Sequence, residues 1–158
     1  MSINQHWGRW IFSSICKHVD DNKGTLALFI EGQERDSTVD KDHMELRIDG
    51  PYFTEQSKHY WKLVVEVNIL VQGVIDDSDF HKMQKYAGKA AYILSMPIDI
   101  KKYGSGVEDD DSSIGCLQRI DDMLDRERLV ISHFGKVEPA SAIEQSTVEA
   151  HYEMFLES

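Results

Sequence analysis

Hydrophobic positions follow two different rhythms along this chain. Between residues 5 and 19, Trp7, Ile11, Ile15 and Val19 recur at four-residue spacing, with Trp10, Phe12 and Cys16 widening the stripe. That spacing predicts an amphipathic helix. Asp20, Asp21, Asn22 and Gly24 predict its end, with Gly24 available for a left-handed turn. The rhythm then becomes alternation. Residues 25–31 predict a strand with Leu26, Leu28 and Ile30 on one face, and Met44, Leu46 and Ile48 alternate with Glu45 and Arg47. Asp49-Gly50-Pro51 breaks that run as a turn or bulge.

Residues 60–74 carry the longest alternation. Trp61, Leu63, Val65, Val67, Ile69 and Val71 share one face, which no helical period explains. Lys62, Glu66, Asn68 and Gln72 occupy the other, interrupted by the apolar Val64 and Leu70. At about 3.4 Å per residue such a strand is roughly 50 Å long. It either bends or projects as one arm of a hairpin, and residues 44–58 are its natural antiparallel partner. The helical period returns over 79–95, where Phe80, Met83, Ala87, Ala90, Ala91 and Leu94 form a stripe with small residues at its centre. Ser78 or Asp79 is the expected cap and Pro97 the expected stop. Strands are predicted over 114–120, 128–134 and 146–156. The order α-β-β-β-α-β-β-β predicts a single α+β domain over 1–158. Its sheet is mainly antiparallel, with a long β-hairpin and two helices packed on one face.

Composition narrows the function classes. A chain of 158 residues builds one core without disulfides or metals. Its net charge of −11, from 28 acidic and 17 basic residues, excludes a general nucleic-acid grip or docking on anionic lipid. It fits plain solubility, and remains compatible with a wall that DNA passes without sticking. Cys16 and Cys116 are read as buried free thiols. The first residues lack the basic and apolar regions of a secretory signal, and no apolar run is long enough to span a bilayer.

Catalytic signatures are missing. The histidines at 6, 18, 43, 59, 81, 133 and 151 show no metal-ligand spacing, although His133 and His151 are possible sheet neighbours of His59. Gly104-Ser105-Gly106 matches no phosphate loop, because Asp109 holds the position of the third glycine. The acidic run Glu108, Asp109, Asp110 and Asp111 lacks EF-hand spacing, and mutual repulsion predicts a flexible, solvated loop. The polar stretch 32–43 predicts a second long exposed loop. Trp7, Trp10 and Trp61 are candidate core anchors. Trp10 lies beside the main stripe and is also a candidate subunit contact, since tryptophan is enriched at interfaces. No cofactor or metal is expected.

With these elements placed, the chain resembles the tail terminator (tail-completion) proteins of long-tailed bacteriophages. The resemblance lies in element order and size over about residues 5–157, and not in a shared motif. It implies a structural virion protein, not an enzyme, that forms a homohexameric ring. Such a ring caps the tail tube and joins it to the head, so its partners are other copies of itself, the tail tube protein and a head-completion or neck protein. DNA passes through the lumen without specific binding. The implied location is the virion tail or neck after synthesis in the bacterial cytoplasm, with no membrane involved. Under this reading Trp10, Trp61, Val64 and Leu70 are candidate subunit-interface residues. Glu108, Asp109, Asp110 and Asp111 are candidates for a lumen-facing or tail-facing loop, with the polar loop 33–43 beside them. Two other classes stay open at this point: a small monomeric or dimeric protein-binding adaptor, and a small enzyme whose site uses no recognisable motif.

Overall fold

The computed structural model describes residues 3–31, 42–74, 81–120, 129–136 and 143–157. Helix α1 (Trp7–Asn22) is followed by strand β1 (Ala27–Ile30), strand β2 (His43–Ser57) and strand β3 (Tyr60–Val74). Helix α2 (Lys82–Ser95) then leads to β4 (Ile98–Lys101), β5 (Ser113–Arg119), β6 (Val130–Lys136) and β7 (Ile143–Glu157). The α+β order stands, with the short strand β4 added between α2 and β5. Ile98 and Ile100 are buried and Asp99 is exposed, so β4 carries the alternation of a strand in only four residues. The stretch 32–41, the expected cap at Ser78 or Asp79, and Phe80 lie outside the described residues.

The strands lie side by side in the order β1-β2-β3-β7-β5-β4, with β6 also paired to β7. All pairings are antiparallel except β1 with β2. Strands β2 and β3 form the expected hairpin, closed by Lys58 and His59. The register slips between Asp49 and Tyr52, at the cis Gly50-Pro51 bond. Pro51 has no amide hydrogen to give to a ladder, which is why the irregularity falls there.

Strand β3 is paired on both edges. It is not a ribbon with a bare edge: β2 pairs along one side and β7 matches it residue for residue from Tyr60/Glu157 to Val74/Ile143 on the other. Within the hairpin, the edge left without a partner among the described residues belongs to β2 beyond Leu46. Pro51 interrupts that edge, a common protection against strand addition.

One face of the sheet carries the core. Leu63, Val65, Val67, Ile69 and Val71 are buried and meet Val148, Ala150, Tyr152, Met154 and Leu156 of β7 in the same cluster as both helices. Helix α1 contributes Trp7, Trp10, Ile11, Ser14, Ile15 and Val19. Helix α2 contributes Met83, Ala87, Ala90, Ile93 and Leu94. Small residues at 87 and 90 let α2 sit close, and a Cβ added at Gly73 of β3 would lie 3.0 Å from the Met83 sulfur.

Polar contacts fix the two layers. The Ser14 hydroxyl of α1 accepts from the Lys101 amide at 3.0 Å and donates to the Lys101 carbonyl at 3.2 Å, seating α1 on β4. Tyr152 donates its hydroxyl to the Leu94 carbonyl at 2.6 Å, satisfying a group that the end of α2 leaves open. Burial pushes that phenol's pKa up, so it remains a donor across the ordinary pH range. Tyr152→Phe is expected to cost about 0.5–1.5 kcal/mol in urea denaturation, the usual net value of such a bond. At the base of the hairpin, the Asp42 carboxylate accepts from the Val74 amide, the Tyr86 hydroxyl and the Lys82 ammonium, at 3.1, 2.7 and 2.6 Å. Burial works to raise the Asp42 pKa, but the bonds from Lys82, Tyr86 and Val74 outweigh it and hold the pKa below the usual range.

Candidate functional site

Two regions carry the residues singled out from the sequence. The first is the acidic loop between β4 and β5. It is neither loose nor uniformly solvated, which corrects the expectation of a flexible acidic run. Asp109 turns inward and its side chain is only 2% exposed. Its carboxylate accepts from Arg9 Nη1 and Nη2 at 2.8 and 2.9 Å, from the Trp10 indole at 2.7 Å, and from the Gly106 amide at 3.0 Å. The Arg9 guanidinium first, and the Trp10 N–H after it, hold the Asp109 carboxyl far below the usual carboxylate range. Gly104 makes the approach possible: its φ of +154° suits glycine, and a Cβ there would be built into the Asp109 carboxylate.

The neighbours of Asp109 remain at the surface. Glu108 lies 3.1 Å from His6 Nε2, while Asp110 accepts from the Ser112 hydroxyl and amide at 2.6 and 3.1 Å. Those bonds hold the Asp110 pKa below its usual value. Asp111 sits at φ 59°, and its amide donates to the Lys102 carbonyl. Repulsion predicted a solvated run, but four donors converging on one carboxylate outweigh it. Glu108, Asp110 and Asp111 stay exposed on an ordered turn; Asp109 is withdrawn from the surface set.

Trp10 is withdrawn with it as a subunit contact. It is 2% exposed, and its indole is committed to Asp109 within the same chain. Trp10 and Ser14 fall at the three- and four-residue offsets that complete the stripe of Trp7, Ile11 and Ile15. Leu70, at 8% exposed, is likewise already covered.

The second region is the hairpin end of the sheet, on the face away from the helices. Val64 is half-buried there, paired with Tyr52 on β2 and Glu153 on β7. Tyr52 is 58% exposed, Phe155 48% and Tyr60 39%, and the rings of Tyr60 and Phe155 stack at 5.6 Å. On the other face of the same end, Trp61 packs half-buried against the core, and its indole nitrogen is buried without a hydrogen-bond partner. A buried donor left unpaired costs free energy, and this one has no partner among the described residues.

Next to this end the sheet splits. The β5–β7 ladder consists of Gln118/Glu153 and Arg119/Tyr152 and goes no further, because β5 turns to pair with β4. In the wedge between them lies a cavity of about 430 Å³, lined by Trp7, Trp10, Lys102, Ile114, Phe155 and Leu156, among others. Lys102 Nζ sits 5.4 Å from the centre of the Trp10 ring. Sequence reasoning found Trp61 and Val64 but missed Tyr52, Tyr60 and Phe155. These three lie on strands whose alternation was legible, yet which aromatics stay uncovered depends on where the helices end.

No helix among the described residues is long and apolar enough to cross a membrane. No protein-family model matches the sequence, and no curated protein matches it. A solved structure titled only by a sequence identifier resembles the chain over 96% of each, with a TM-score of 0.53 at 10% identity. At that identity the likeness concerns the fold alone.

Proposed function

We propose that this chain is a structural, non-catalytic subunit that assembles with copies of itself into a ring, as the tail terminator of a long-tailed phage does. The observation that carries the reading is the exposed stack of Tyr60 and Phe155 beside an open wedge, with exposed Tyr52 beyond the Lys62–Glu153 ion pair, on a chain of net charge −11. Apolar surface gathered in one place on a charged protein marks a contact with another chain. A head-to-tail ring needs two different complementary patches on each subunit, and this surface would supply one of them. The exposed carboxylates Glu108, Asp110 and Asp111 supply the acidic surface that a DNA passage favours. In this reading the ring occupies the virion tail or neck, meeting the tail tube on one side and a head-completion protein on the other.

Size-exclusion chromatography with light scattering tests the proposal. The wild-type chain is expected to run as a hexamer, or to reach one as concentration rises. Phe155→Asp, which places a charge at this 48% exposed ring, is expected to run as a folded monomer. A wild-type chain that stays monomeric at every concentration would overturn the ring and favour a monomeric binding module.

A further inference from the structure

A further group of side chains sits on the open sheet face, one step along β3 from the Val64–Tyr52 pair. Glu66 of β3 pairs directly with His151 of β7, and Glu149 precedes His151 by two residues on the same face. One ligand atom of each lies within 4.8 Å of the others, and all three side chains are half-buried. His151 Nε2 is 3.4 Å from Glu149 Oε1. Asn68 donates to Glu66 Oε1 at 3.0 Å and so orients that carboxylate.

The geometry points to a divalent transition-metal site of the zinc class, with Glu66, Glu149 and His151 as protein ligands and solvent completing the shell. Three features support this. The backbone under the ligands is rigid, since β3 is paired on both edges and β7 with β3 along its whole length. Tetrahedral zinc with bonds of about 2.0–2.2 Å places its donors about 3.3–3.5 Å apart. The donors now lie within 4.8 Å of one another, so a bound ion would draw them closer. The donor set mixes one imidazole with two carboxylates, which suits zinc and not the all-oxygen shells of calcium or magnesium.

Charge balance points the same way. Among the described residues neither Glu66 nor Glu149 is ion-paired with a lysine or arginine. A bound divalent cation would neutralise the two carboxylates. The signal was invisible in the sequence because Glu66 lies far from Glu149 and His151 and meets them only across the β3–β7 ladder.

Isothermal titration of the full chain with zinc chloride tests the site, whether or not the chain forms a ring. The expected result is one zinc per chain, with binding at least tenfold weaker in both His151→Ala and Glu66→Gln. Glu66→Gln is nearly isosteric and guards against loss of fold in the histidine variant. Zinc should also raise the thermal midpoint of the wild type and not of Glu66→Gln. Equal zinc binding by wild type and both variants, no zinc binding by the wild type, or calcium bound as tightly as zinc would each overturn the assignment.

Discussion

Replacing Asp109 by asparagine should lower the thermal midpoint by several degrees at neutral pH, and the gap from wild type should close as the solution is acidified. Asparagine keeps the shape but loses the charge and turns an amide N–H₂ toward Arg9 or Trp10, which are themselves donors. The pH dependence follows from the depressed folded-state pKa. In the unfolded chain an aspartate titrates near about 3.9. Above that value the carboxylate is charged in both states and its contribution to stability is present in full. Below it the unfolded chain takes up a proton that the folded chain resists, so stability falls with pH through the ordinary carboxylate range and beneath it.

Asp42, Asp110 and Glu66 act with the same sign, and Glu149 with the opposite one. The difference between wild type and Asp109→Asn therefore isolates the one carboxylate. A gap that stays constant from pH 7 to acid would show that the Arg9–Asp109–Trp10 junction adds nothing electrostatic. Limited trypsin digestion offers a second readout, since loosening the loop should speed cleavage after Lys101 and Lys102.

The second large effect concerns the two faces of β3. Leu63 is fully buried, paired with Phe53 and Met154 on the core side. Leu63→Ala is expected to cost about 2–5 kcal/mol, the range for a buried leucine whose cavity does not collapse. Val64, one residue on, lies on the uncovered face, half-buried between Tyr52 and Glu153. Val64→Ala should cost less than about 1 kcal/mol to the isolated chain, as surface changes do. Urea denaturation of both variants separates the cases. Equal costs would mean that the second face is covered in solution.

The alternation of residues 60–74 placed β3 to the residue, because a period of two cannot be mistaken for a helix over that length. Helix α1 ran on to Asn22, three residues past the expected end at Val19, where Lys17 and Lys23 pair with Asp21 and Asp20 and the Asn22 side-chain amide donates to the His18 carbonyl. Gly24 did adopt the left-handed turn, at φ 69°. What the sequence could not disclose are distances in space between remote residues. Asp109 reads as one of three equivalent aspartates until Arg9, a hundred positions earlier, is brought against it. Trp10 reads as a side residue of its stripe until β4 and the loop after it supply a wall. Pattern encodes which way a side chain faces along its own element; it carries little about which other element arrives there.

The position of β7 has a consequence for how the molecule is made. The sheet's middle ladder joins β3 to the strand that follows all the others in chain order. During synthesis the β2–β3 hairpin leaves the ribosome with the β3 edge bare, and only the emergence of residues 143–157 closes it. Closing so distant a pairing is slow, and a waiting hydrophobic strand invites other nascent chains. A chain stopped before residue 143 should accordingly collect in inclusion bodies, and co-expressing the missing segment as a peptide should return part of it to solution.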